Sequence, residues 1–289
     1  MKIDATTKRL IALQRDEATL CEVYRRLSEA GADCERNRLL RRLADDERRH
    51  LRELERLTGQ RVDADGRRVR AYRCMARLLG ATFVMGQMVH CEKCSEKSYA
   101  RHSDTPALAA LARDERRHRR ELTAFVVSMP LSYISSVVLG LNDALVEFTG
   151  ALAGFTLALD DSRLVALTGG VTGIAAAMSM AASEYLSTKT GRSEGKRPLK
   201  AALCTGSAYV VTVSVLLLPF LFFSDAFFAL GVMLVAALAV IASFNYYYAV
   251  VRCENFRRRF LEMSALSFSI AGISFLVGYL LRRFSGIER

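Results

Sequence analysis

The chain opens without an apolar leader. Residues 1–20, MKIDATTKRLIALQRDEATL, hold no apolar core of the kind a secretion signal needs, so the N-terminal part is expected to stay in the cytoplasm. A disulfide framework is also missing. The seven cysteines, two of them (Cys204 and Cys253) in the apolar second half, fit reduced thiols. Nor is the net charge of +11 gathered for nucleic acid. In RLLRRLADDERRH (38–50) arginines alternate with acids along helical faces, which describes a solvated surface attracted to anionic lipid.

Charge runs short after residue 128. Residues 1–128 hold 28 Lys/Arg and 20 Asp/Glu, whereas 129–289 hold 13 and 10, scattered among long apolar runs. The shift predicts two domains, a soluble one over 1–128 and a membrane one over 129–289. The expected fold class is all-α, a four-helix bundle followed by five transmembrane helices.

Helical periodicity is what the first part has in abundance. LADDERRHLREL (43–54) recurs 68 positions later as LARDERRHRREL (111–122). Turn signals at Gly31-Ala32-Asp33, GQRVDADGRR (59–68) and Ser103-Asp104-Thr105-Pro106 separate four helical segments. The second carries a stripe of Leu40, Leu43, Glu47, His50, Leu54 and Leu57, and the fourth repeats it as Leu108, Leu111, Glu115, His118, Leu122 and Phe125. The first (Leu10, Leu13, Glu17, Leu20, Tyr24, Leu27) and the third (Leu78, Ala81, Met85, Met88, Glu92, Ser95, Tyr99) each set a glutamate in the seam, with a tyrosine seven residues on.

Four carboxylates and two imidazoles therefore point into one small core. Glu17 and Glu47 lie symmetrically about the first turn, and Glu92 and Glu115 about the last, so antiparallel folding brings each pair to one height. Burying such a set costs many kcal/mol unless cations neutralise it. Two divalent ions do so, each facing a Glu-x-x-His helix, with the other two glutamates available to bridge. Mixed carboxylate and imidazole ligands suit iron or manganese.

These residues resemble the ferritin-like superfamily, closest to rubrerythrin-type domains, over about residues 5–128. The resemblance implies a di-iron site that oxidises Fe(II), with Glu17, Glu47, His50, Glu92, Glu115 and His118 as ligands and Glu96 as an alternate ligand. The four-cysteine iron centre of true rubrerythrins is absent. Cys91-x-x-Cys94, with Cys21 as a possible contributor, is a weak sign of zinc or redox chemistry. His102 reads as a surface residue at a helix end.

Five apolar runs follow, at about 132–159, 163–187, 201–223, 226–250 and 264–281, each long enough to span a bilayer. The second is rich in small residues, which suits close helix packing. Loops 188–200 and 252–259 carry five and four Lys/Arg, which places the N-terminal bundle in the cytoplasm and the C-terminus outside. Within the first run lie Asn142, Asp143 and Glu147, and within the second Met178, Met180 and Glu184. Acids at that depth usually line an ion or proton path, and thioethers can accept a transition-metal ion.

At GLNDALVEFTGALAG (140–154) and MSMAASEYLS (178–187) the chain resembles the vacuolar iron transporter family, over about 130–285. The resemblance implies a homodimeric exporter of Fe(II) or Mn(II) driven by proton antiport. In it Asp143 takes the place of the first-span aspartate, Met180 that of a metal-coordinating methionine, and Glu147 and Glu184 those of acids common in prokaryotic members. The short basic loop 188–200 cannot hold the glutamate-rich domain that plant members insert there; the bundle is its substitute. The fusion resembles membrane-bound ferritins of prokaryotes, which implies an inner-membrane protein protecting the cell from iron and peroxide. Two rivals stand beside this reading: a membrane-anchored ferroxidase or peroxidase with no transport, and a manganese exporter whose bundle has no redox turnover.

Overall fold

The leucine spacing of the first 128 residues dictates helix, but five helices form there instead of the four expected: α1 (Ala5–Glu29), α2 (Cys34–Thr58), α3 (Gly66–Leu79), α4 (Ala81–Ala100) and α5 (Pro106–Ser128). The difference arises at Gly80, whose φ of +90° is open to glycine at little cost and ends α3. The stripe expected from Leu78 to Tyr99 is therefore broken. Leu78 belongs to α3 and is 77 % exposed, and Ala81 opens α4. The buried face of α4 consists of Phe83, Val84, Met85, Met88, Glu92, Ser95 and Tyr99. Asp65 caps α3, accepting from the backbone N–H groups of Arg67 and Arg68.

This computed structural model describes residues 5–29, 34–101, 105–128, 133–191 and 197–284. The turns expected at 31–33 and 103–104, together with His102, lie outside them. The chain divides into two units, residues 1–129 with 247–254 and residues 130–246 with 255–289. Every regular element among the described residues is helical.

In the first unit α1 packs along α2 and α4 along α5. Two apolar clusters form, one from Leu20, Tyr24, Leu40, Leu43, Met85, Met88 and Leu122, the other from Leu54, Tyr99, Leu108 and Leu111. In sequence the Glu and His positions of α2 and α5, and the seam glutamates of α1 and α4, fall between the residues of the two clusters. Each buried leucine or methionine contributes about 1.5–3 kcal/mol relative to exposure, and this apolar packing offsets the cost of the polar layer. Leu57, expected in the stripe, is 41 % exposed. The loop before α3 is fastened to α1: Gln14 Nε2 donates to the Gln60 carbonyl (2.7 Å) and Asp65 N–H to Thr19 Oγ1 (3.0 Å).

The remaining helices are each long and apolar enough to cross a membrane: the first span Ile134–Leu159, the second Ser162–Lys189, the third Pro198–Phe222, the fourth Ala226–Arg252 and the fifth Phe256–Leu281. The fifth helix starts at Phe256 and not at 264, because Asn255 Oδ1 accepts from Arg257 N–H (3.0 Å) and nucleates the extra turns. The first span is not uniform: Ala144–Phe148 forms a π-helical turn in its middle. First and third spans touch backbone to backbone, since a Cβ at Gly140 would lie 2.3 Å from the Thr205 carbonyl oxygen. First and fifth do likewise at Gly154 and Gly278. Phe148, Leu152, Tyr209, Leu216, Met233 and Ile241 fill the core of this unit.

Candidate metal centre

Helical spacing of three residues sets Glu47 above His50 on α2 and Glu115 above His118 on α5. All four are buried, and their ligand atoms lie within 4.8 Å of one another. His50 Nδ1 is 3.0 Å from Glu115 Oε1 and 3.3 Å from Glu47 Oε2, while His118 Nδ1 is 3.1 Å from Glu47 Oε1. The rings stack with centroids 5.3 Å apart. Glu17 on α1 and Glu92 on α4 are also buried, with Oε2 atoms 3.7 Å from Nδ1 of His50 and His118 respectively. The structure thus brings together the six residues Glu17, Glu47, His50, Glu92, Glu115 and His118.

Outer groups orient the inner ones. Nε2 of His118 meets Asp46 Oδ2 at 3.1 Å, and Nε2 of His50 meets Asp114 Oδ2 at 3.4 Å, so each imidazole turns Nδ1 inward. Tyr24 donates its hydroxyl to Glu92 and Tyr99 donates to Glu17. None of these four was singled out as a partner from sequence. The signal was there: each aspartate precedes its motif glutamate, and each tyrosine follows a seam glutamate by two helical turns.

Six buried atoms of the centre make no well-aligned hydrogen bond, and most of them meet one another only as close charged contacts: Glu17 Oε2, Glu47 Oε2, His50 Nδ1, Glu92 Oε2, Glu115 Oε1 and Glu115 Oε2. Orphaned buried acceptors are costly, and convergent carboxylate oxygens with imidazole nitrogens are the donor set of a divalent transition metal. Titration follows the same geometry. Burial, then the charges of Glu17 and Glu92, push Glu47 up to about 8. Burial opposes charge on His118, yet its bonds to Glu47 and Glu92 raise it to about 10. Glu115 is raised by burial and by its carboxylate neighbours. Burial also works to raise Glu17, but bonds from Glu47, His50 and Tyr99 hold it near 2. The residues fit a metal ion.

Glu96 stands apart from the centre. Its carboxylate is held by Arg116 Nε (2.7 Å) and Arg119 Nε (3.0 Å), although it lies one turn from Glu92. Cys91 faces the Tyr72 hydroxyl at 3.4 Å, Cys94 is exposed, and Cys21 lies 3.3 Å from the Ala44 carbonyl oxygen; all three are free thiols.

In the second unit, Ser136 Oγ donates to Glu184 (2.5 Å), and the Ser136 carbonyl accepts from Thr205 Oγ1 (3.0 Å). Asp143 and Glu147 lie within hydrogen-bond reach of each other at the π-helical turn. Glu147 also accepts from the Tyr209 hydroxyl (3.2 Å). Asn142 Oδ1 is buried and accepts no bond. Met180 packs against the core, whereas Met178 is 69 % exposed. The two methionines do not converge, because residues two apart on an α-helix point about 200° apart.

Residues 134–197 match the model of the VIT family. No curated protein matches the chain. The match takes in Asn142, Asp143, Glu147, Met178, Met180 and Glu184, and ends short of the 130–285 that the resemblance implies. Together with the five apolar helices it points to a multi-pass membrane protein bearing a VIT-family segment of the kind tied to metal-ion transport.

Proposed function

We propose that this chain exports Fe(II), and Mn(II) as a second cargo, from the cytoplasm of a prokaryote through its inner membrane in exchange for protons. The observation that carries the transport reading is the VIT-family match over 134–197, which contains three membrane acids. Asp143, Glu147 and Glu184 are the groups that would alternately hold the cation and protons, with Met180 and Asn142 as further ligands. Tyr209 and Ser136 orient two of those carboxylates.

The buried Glu/His centre is the capture site for the same cargo, and its resemblance to rubrerythrin-type domains supports iron. Glu17, Glu47, His50, Glu92, Glu115 and His118 would hold two ions. Bound iron would supply redox chemistry toward oxygen or peroxide. The protein's own part is to orient the imidazoles through Asp46 and Asp114 and to keep the carboxylates dry. Capture suits the membrane ligands better than obligatory oxidation does, since Fe(III) would be held tightly by carboxylates and moved poorly. The basic loops support a cytoplasmic bundle. A homodimer is part of the proposal and rests on the family resemblance.

Anaerobic uptake of Fe(II) into proteoliposomes, with metal and pH probes inside, tests the reading. Wild type should move iron against protons, Asp143→Ala should not, and Glu115→Ala should lower uptake at low iron. If no variant moves iron while the bundle consumes Fe(II) and oxygen, the spans are an anchor and the protein is an enzyme.

A further inference from the structure

Helix α3 plays no part in holding the candidate metal centre. Its sequence, GRRVRAYRCMARLL, contains five arginines and no acid. Val69 is buried inside the unit, and Tyr72, Met75 and Ala76 pack against the same core. On a helical wheel Arg67, Arg70, Arg77 and Leu78 share the other side, and all are exposed. Leu78 and Leu79 form an apolar tip that the fold leaves open, at 77 % and 41 % exposure. Beside this face a cavity has an apolar floor (Val23, Leu27, Val69) and a rim that includes Arg73 and Arg77. At the same end, and within the same unit, the Tyr247 hydroxyl donates to the Leu79 carbonyl oxygen (3.2 Å) and its ring stacks on Phe83 at 5.3 Å.

We propose that α3 is an interfacial helix that docks on anionic phospholipid, its arginines on the headgroup phosphates and Leu78 in the acyl boundary. Several observations favour this occupant over a protein partner. Arginine forks match phosphate oxygens bidentately. A helix with cationic flanks and an apolar tip is the form that lies in a membrane interface. The chain also carries five apolar spans, so a bilayer is always within reach. Tyr247, joined to the end of α3, belongs to the closing turns of the fourth span, and tyrosine is a residue of membrane interfaces.

The protein has no tryptophan, so Leu78→Trp in the full chain adds a unique fluorophore at an exposed position. It is reconstituted into vesicles of brominated phosphatidylcholine, with or without phosphatidylglycerol. The expected result is blue-shifted emission and strong quenching in the anionic vesicles, weakened several-fold when Arg70→Gln, Arg73→Gln and Arg77→Gln are added. Water-like emission that brominated lipid leaves unquenched would overturn the proposal. So would quenching that ignores both phosphatidylglycerol and the arginine changes. Inorganic phosphate at constant ionic strength is the last arm: reversal by it would make this a site for free phosphate, not for lipid.

Discussion

His118 Nε2 sits 3.1 Å from Asp46 Oδ2, a carboxylate on the opposite helix and one residue before Glu47. The relation is reciprocal at His50 and Asp114 (3.4 Å). Each copy of the repeated motif therefore supplies the group that orients the other copy's imidazole. Asp46→Ala and Asp114→Ala should each weaken metal binding about 10–100-fold while leaving the helical circular dichroism unchanged. Anaerobic titration of Fe(II) or Mn(II) into the full chain reads the affinity, and unchanged affinity in both variants would remove the orienting role.

Metal affinity should climb with pH. Without metal, Glu47 holds a proton up to about 8 and His118 up to about 10, with His50 and Glu115 also raised. An incoming ion must displace those protons, so acid competes with it and alkali favours it. The steepest gain is expected as Glu47 deprotonates, near the value given for it. Calorimetry in buffers of different ionisation enthalpy should record proton release on binding near neutrality, and binding without release would contradict this.

Tyr24→Phe removes the hydroxyl that Glu92 accepts and leaves another orphaned oxygen in a fully buried place. The metal-free protein should lose about 1.5–3 kcal/mol, the worth of a hydrogen bond to a charged group. Saturating Mn(II) should recover part of that loss, since the cation then satisfies the carboxylate. Thermal melts with and without the ion separate the two states.

Tyr209→Phe and Ser136→Ala should slow transport more than they lower yield. Each frees one membrane carboxylate from a donor, Glu147 in the first case and Glu184 in the second. The proteoliposome assay measures the rate, and size-exclusion profiles should stay close to wild type.

Gly140→Ala should fail at the level of folding. The added carbon would stand 2.3 Å from the Thr205 carbonyl oxygen, a backbone atom with no rotamer to yield. Loss of the monodisperse peak in detergent is the expected outcome. A well-folded variant would show that the first and third spans have room to part.

The seam of the bundle was legible because glutamate and histidine took positions that neighbouring turns give to leucine. Periodicity alone carried Glu17, Glu47, His50, Glu92, Glu115 and His118 to one place. It could not see Gly80 as a break, since a lone glycine in a helical pattern is often tolerated; the backbone φ of +90° is a tertiary outcome. Glu96 shows a second limit. Spacing put it beside Glu92, but Arg116 and Arg119 compete for the same carboxylate, and spacing along one helix is blind to cations on the next. In the spans, hydropathy marked the helices. It gave no hint that Ala144–Phe148 would wind as a π-turn, whereas the divergence of Met178 and Met180 was legible in their spacing of two on one helix.

The division of ligands between the two helical hairpins sets how the centre can empty. α1 and α2 supply Glu17, Glu47 and His50; α4 and α5 supply Glu92, Glu115 and His118. Neither hairpin holds the whole set. For a metal held there, a small separation of the hairpins would carry three of the six residues away from the other three in one stroke, whereas local motion in a single helix would shift two of them at most. Release of metal from such a centre should therefore be abrupt, tied to the parting of two hairpins and not to the fraying of one helix.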